Sequence, residues 1–170
     1  MLSFSTSANT KIEVVITCDN AVNLNDEEKL AYLKGDRSVL KIHEDKQPTY
    51  FIIKALSPME REEAEIKAGA YTRSELGRLL FIEQPSDLID RANWQHNLTE
   101  NRKKALAEYN AYLNRVYQEM IKASVVEIKG VEGNVWDLIQ SIKPDAIRLQ
   151  TISELVTHIS TLSLLGDQGK

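Results

Sequence analysis

Cysteine and histidine are scarce in this sequence, which contains one cysteine and three histidines among 170 residues. The single thiol, Cys18, has no partner for an internal disulfide, and a lone thiol is typical of proteins in a reducing cytoplasm. His43, His96 and His158 fall in three different predicted elements, and none has a cysteine or second histidine at ligand spacing. The sequence therefore predicts no metal, no cofactor and no catalytic residues, and we expect that the protein is not an enzyme.

Long apolar runs and an excess of basic charge are also missing. No stretch reaches the roughly 18 apolar residues that a membrane span requires, and the first residues lack the basic and apolar regions of a signal peptide. The net charge is −4, and acidic residues outnumber basic ones both before and after Ala70. These absences predict a cytoplasmic protein that binds neither membrane nor nucleic acid.

What remains is the composition of an ordinary globular protein, with 42% hydrophobic and 27% charged residues. Most domains contain about 100–200 residues, and no Gly/Ser-rich or Pro-rich linker divides this chain. The first ten residues are small and polar without a clear pattern. We therefore predict a flexible N-terminal arm over residues 1–10 and a single α+β domain over residues 11–170.

The predicted strands lie mainly in the first third of the chain. Residues 12–17 are β-branched, residues 38–42 and 49–55 flank a polar loop, and residues 125–128 form a short later candidate. The rest of the chain has the apolar spacing of helices. The expected fold is a small N-terminal antiparallel sheet followed by a mostly helical remainder.

Several helix starts are marked by capping residues. Ser57 and Glu60 form a capping box around Pro58, which suits the first helical position. The same box occurs at residues 72–75 and 151–154, while Asn25 is placed to cap a short helix. A helix or turn is expected over residues 88–96 and a helix over residues 135–142, ended by Lys143-Pro144. The longest helix, of about 25 residues, is expected to begin at Thr99.

The C-terminal helix predicted from residue 151 has more apolar surface than one core face requires. One stripe contains Ile152, Leu155, Val156, Ile159 and Leu162. Leu164 and Leu165 add apolar surface beyond the width of this stripe, and His158 is expected at its boundary. The surplus predicts a partner-binding surface formed by Leu155, Val156, Ile159, Leu162, Leu164 and Leu165. The alternative is that the whole stripe packs on the long helix that begins at Thr99.

Two stretches of the chain resemble a known family. Residues 41–65 (KIHEDKQPTYFIIKALSPMEREEAE) run from a strand into a Ser-Pro helix start and a charged helix, after the segment YLKGDRS. Residues 152–166 (ISELVTHISTLSLLG) form a closing amphipathic helix. This layout is similar to that of tail assembly chaperones and related minor structural proteins of long-tailed bacteriophages.

The resemblance implies a non-enzymatic role in the host cell cytoplasm. Proteins of this family bind tape-measure and tail-tube proteins during assembly of the virion and leave before it is complete. The expected partners are therefore phage tail or other virion proteins, or a second copy of the chain. An alternative is a neck, connector or baseplate protein that stays in the particle. A small enzyme with an unrecognised site is a third alternative, which a deep pocket with convergent polar groups would indicate.

Overall fold

In the part of the chain that the structure describes, the sheet has three antiparallel strands, and its central strand comes from the first third of the chain. In the computed structural model, which describes residues 11–69, 85 and 87–167 without the side chains of residues 88 and 165–167, the strand order is β1-β2-β3. These strands are Lys11–Val15, Tyr50–Lys54 and Val125–Ile128. Val15 pairs with Tyr50, and Phe51 pairs with Ile128 on the other side. The third strand therefore joins the sheet only after the longest helix.

Helices make up most of the rest of the described chain. In chain order, the bounds are α1 Asp26–Leu33, a 3-10 helix Arg37–Val39, α2 Pro58–Lys67, α3 Leu88–His96, α4 Glu100–Ser124, α5 Val135–Ser141 and α6 Asp145–Asp167. A small antiparallel sheet followed by a mostly helical remainder confirms the predicted α+β class. The arm predicted over residues 1–10 and the helix start predicted at residues 72–75 lie outside the described residues.

Two of the predicted helix starts are confirmed by their hydrogen bonds. The Asn25 side chain accepts from the Glu28 amide at 2.9 Å, and the Glu28 carboxylate accepts from the Asn25 amide at 2.9 Å. At α2, Ser57 Oγ accepts from the Glu60 amide at 3.2 Å, while Glu60 accepts from the Ser57 amide at 2.8 Å. Each box satisfies two amides that have no partner within the helix.

The strand predicted over residues 38–42 is wrong. The Asp36 carboxylate accepts from the Ser38 amide at 3.1 Å and starts the 3-10 helix there. Within residues 38–42, Ile42 is the only residue that takes part in β-pairing, as an isolated bridge to Val22. A short acidic side chain that bonds its neighbouring backbone favours a turn, and this local bond replaces the predicted strand.

The predicted start of the last helix at Thr151 is also wrong, because α6 begins at Asp145. The Ile147 amide donates to the Pro144 carbonyl at 3.0 Å, so the first turn forms directly after the proline. Thr151 lies inside the helix, where its hydroxyl donates to the Ile147 carbonyl at 2.8 Å. Pro144 thus separates two helices that are almost continuous in sequence.

The core lies between the sheet and the three helices α4, α5 and α6. Helix α6 packs on α4, on α5 and on β2, while α2 packs on α4 and α1 packs on α6. Buried apolar side chains from the sheet meet those of the helices in one cluster: Val14, Ile16, Phe51, Ile53, Ala55, Leu56, Ile121, Val125, Ile128, Ile139, Leu155, Ile159 and Leu162. One end of this cluster opens to the surface beside α5.

Candidate binding cleft

The opening is a cleft of about 310 Å³ between the ends of the strands and the α5–α6 connection. Its walls come from four separate parts of the chain. The apolar walls are Ile16, Phe51, Ile128, Val131, Leu138, Ile139, Ile142 and Ile147, and the polar positions are Cys18, Asp19, Thr49, Ser141 and Thr151. A concave, mainly apolar surface with a few polar groups is the usual form of a binding site.

Asp19 is the charged group in the lining of the cleft. One carboxylate oxygen accepts from the Ala21 amide at 2.9 Å, and the other accepts from the Thr49 amide at 2.9 Å. The side chain therefore holds the loop after β1 against the residue that precedes β2. Its negative charge also makes the cleft unfavourable for an acidic ligand.

Two hydroxyl groups in the cleft are used within their own helices. Ser141 Oγ donates to the Leu138 carbonyl at 2.6 Å, and Thr151 Oγ1 donates to the Ile147 carbonyl at 2.8 Å. Like the carboxylate of Asp19, these hydroxyl groups form hydrogen bonds to the backbone of the chain itself. The surface that the cleft offers to a ligand is consequently mainly hydrophobic.

Cys18 is half-buried on the wall of the cleft. Desolvation raises the pKa of the thiol, and the negative charge of Glu154 raises it further. Both effects favour the protonated form at neutral pH, whereas a nucleophilic cysteine needs a lowered pKa. The environment of Cys18 suits a wall group better than a catalytic one.

Behind the cleft, α6 is tied to the end of β1 by a buried carboxylate. Glu154 is 6% exposed and accepts from the Thr17 amide at 2.6 Å, the Thr17 hydroxyl at 2.7 Å and Gln150 Nε2 at 2.8 Å. Ser163 plays a similar part for the next strand, since its hydroxyl accepts from the Leu56 amide at 2.9 Å. Sequence reasoning missed both roles. The signal in the sequence was that Glu154 and Ser163 are polar residues placed directly beside positions of the apolar stripe of α6.

His158 was predicted at the boundary of the apolar stripe, and this is wrong because only 4% of it is exposed. Its ring meets the ring of Tyr32 from α1 edge-on, with 5.1 Å between ring centroids and 73° between planes. Desolvation, with a smaller effect of the Arg37 charge, lowers the pKa of His158 to about 4. The imidazole is therefore neutral at pH 7 and part of the interior.

Five of the six residues predicted to bind a partner have described side chains, and four of these five are buried or partly buried. Leu155, Ile159 and Leu162 belong to the core, and Val156 is partly buried against it. Leu164 is 57% exposed, and the side chain of Leu165 lies outside the described residues. Helix α6 packs on α4, which is the arrangement expected if the stripe packs on the long helix instead of a partner. None of the five described residues lines the cleft.

Within residues 11–69, 85 and 87–167, no group of His, Cys, Asp and Glu side chains is arranged to hold a metal ion. In the same part of the chain, every helix is too short or too polar to cross a lipid bilayer. No protein-family model, curated protein or solved structure matches this sequence. The cleft and the sequence resemblance are therefore the observations that bear on function.

Proposed function

We propose that this chain is a non-enzymatic tail assembly chaperone of a long-tailed bacteriophage, which binds tape-measure and tail-tube proteins in the host cytoplasm. The observation that carries the proposal is the apolar cleft, in which three of the five polar wall groups, Asp19, Ser141 and Thr151, form hydrogen bonds within the chain. Such a cleft provides contact area for apolar groups and leaves few polar groups for chemistry. This is the property that a protein needs to shield the apolar surface of an unassembled subunit.

The size of the cleft favours apolar side chains of a partner as its occupants. At about 310 Å³ it lies at the lower limit of pockets for drug-sized ligands, which run from about 300 to 1,000 Å³. Val131 lines the cleft and is still 46% exposed, so the apolar surface continues from the interior to the rim. Burying such surface contributes about 25 cal/mol per Å² before the costs of association.

Copurification with a matched pair of variants tests the proposal. Val131→Glu places a charge at the rim of the cleft, while Val126→Glu places the same charge on an exposed β3 residue that does not line it. The tagged protein is expressed with the tail proteins of its phage, and captured proteins are identified by mass spectrometry. We expect capture of tape-measure or tail-tube protein by wild type and by Val126→Glu, and at least tenfold less by Val131→Glu. Equal capture by all three forms excludes the cleft as the binding site.

Mass spectrometry of purified particles separates the chaperone from a retained virion component. A chaperone is depleted from finished particles, whereas a neck, connector or baseplate protein is present in fixed stoichiometry. Stoichiometric recovery of the chain would replace the proposed chaperone role by a structural one. Absence of any captured tail protein, with the fold intact by circular dichroism, would contradict both.

A further inference from the structure

The outer edge of β1 is covered by side chains from residues 26–39, which we call the α1 cover. Tyr32 Oη accepts from the Val15 amide at 2.9 Å, and Arg37 Nη1 donates to the Glu13 carbonyl at 2.6 Å. β1 pairs with β2 on its other side and is the edge strand of the sheet. The α1 cover thus satisfies backbone groups that an edge strand otherwise presents for pairing with another strand.

The α1 cover rests on His158 of α6. Tyr32 is 1% exposed, and its ring is the one that contacts the His158 ring. His158 Nε2 is buried and has no hydrogen-bond partner among the described residues. A neutral ring tolerates this position, but an imidazolium carries an N–H at both nitrogens and requires acceptors for them. The contact between the Tyr32 and His158 rings is therefore compatible only with the neutral imidazole.

The charges around His158 do not compensate a proton on it. From the α1 cover, the Tyr32 ring faces it, and Arg37 adds a positive charge that disfavours the imidazolium. On α6 itself, Glu154 lies one turn earlier, and its carboxylate already accepts hydrogen bonds from Thr17 and Gln150. A charged His158 would thus be both desolvated and repelled in the closed arrangement.

We propose that His158 is an acid-sensitive latch, whose protonation releases the α1 cover from α6 and exposes the edge of β1. Release brings the imidazole into water and separates it from Arg37. It also frees the Val15 amide and the Glu13 carbonyl, which are the groups that an added strand would pair with. The inference is independent of the cleft, because none of these residues lines it.

The sign and size of the effect follow from proton linkage. In the open form His158 regains an ordinary pKa near 6.5, whereas burial holds its pKa at about 4 in the closed form. The open form then binds more protons at any pH between these values, so acid favours opening. Between pH 6.5 and 4.5 the open-to-closed ratio should rise about 40-fold, and at pH 4 it should be about 160-fold above its value at high pH.

Hydrogen exchange followed by mass spectrometry tests the latch on the full chain. Exchange is measured from pH 6.5 to 4.5 and corrected for the intrinsic pH dependence of amide exchange. We expect the opening of peptides from residues 26–39, and of the Val15 amide, to rise about 40-fold from pH 6.5 to 4.5 and to remain more frequent than the opening of peptides from α4. Opening of the α1 cover that is no more frequent than opening of α4 would indicate global unfolding and overturn the local latch, as would no rise in the α1 cover.

Two histidine variants and one titration complete the test. His158→Phe keeps an aromatic ring against Tyr32 and should abolish the pH dependence, whereas His96→Phe, at an exposed position on α3, should preserve it. If His158→Phe does not fold, an NMR titration of the wild-type imidazole decides. A His158 midpoint near 4 in the folded protein supports the latch. A midpoint near 6.5 shows that the closed form accepts the charge, and overturns it, as does an unchanged pH dependence in His158→Phe.

Discussion

Replacing Glu154 by leucine should destabilise the protein although it removes a buried charge. Buried ion pairs are often replaced by apolar residues without loss, because the cost of desolvating the charges disappears. Here the groups that pair with the carboxylate include the Thr17 backbone amide, which the substitution cannot remove. Thr17 is itself only 6% exposed, so its donors cannot turn to water without opening the structure.

The expected magnitude follows from the donors left without an acceptor. An unsatisfied buried donor costs about 1–3 kcal/mol, and Glu154→Leu leaves the Thr17 amide and the Thr17 hydroxyl in that state. Relief of carboxylate desolvation and the added apolar burial offset part of this sum. We expect Glu154→Leu to lower the free energy of unfolding by about 2–4 kcal/mol.

Urea unfolding at pH 7, with comparison of the m-values, provides the measurement. Thr17→Val removes only the hydroxyl donor and should cost about 1 kcal/mol, and Gln150→Ala removes an exposed partner and should cost less. The expected loss in the free energy of unfolding is largest for Glu154→Leu, smaller for Thr17→Val and smallest for Gln150→Ala. A Glu154→Leu variant within 0.5 kcal/mol of wild type, at unchanged m-value, would refute the assigned role of the carboxylate.

Three further predictions concern single positions. Because desolvation and the negative charge of Glu154 raise the pKa of Cys18, its alkylation rate should still be rising between pH 8 and pH 9, and a plateau near pH 8 would contradict this. Leu164→Glu, at a side chain 57% exposed, should change the free energy of unfolding by less than about 1 kcal/mol in a denaturant titration; a larger loss would place Leu164 in the core. Ser57→Ala should lower the free energy of unfolding by about 1 kcal/mol in the same titration, and Ser57→Thr should lower it less. An unchanged free energy of unfolding in Ser57→Ala would contradict the role of the capping box.

The elements that could be predicted from the sequence are those specified by neighbouring residues. The boxes at Asn25 and Ser57 join residues three positions apart, so the sequence contains both partners of each hydrogen bond. The same reasoning failed at Thr151, because the capping-box sequence of residues 151–154 lies in the middle of α6. In the sequence Pro144 predicts only the end of α5, whereas its carbonyl also accepts the first hydrogen bonds of α6.

The cleft and the interior polar contacts could not be predicted in this way. Asp19 meets the Thr49 amide 30 positions away, and Glu154 meets Thr17 at a separation of 137 positions. No local pattern records such pairings, because they form only when the sheet and α6 pack together. The apolar stripe of α6 did predict buried residues, but it did not distinguish a face packed on α4 from a partner surface.

The reactivity of Cys18 tests the central claim, occupation of the cleft by a partner, most directly. Cys18 lines the cleft and is the only cysteine of the chain, so a small maleimide reports on this site alone once the thiols of the partner are blocked. The rate of modification is measured at constant pH with and without a saturating amount of a captured tail protein. We predict that the partner slows the reaction at least tenfold. An unchanged rate in a complex shown to be intact by size-exclusion chromatography would contradict the account.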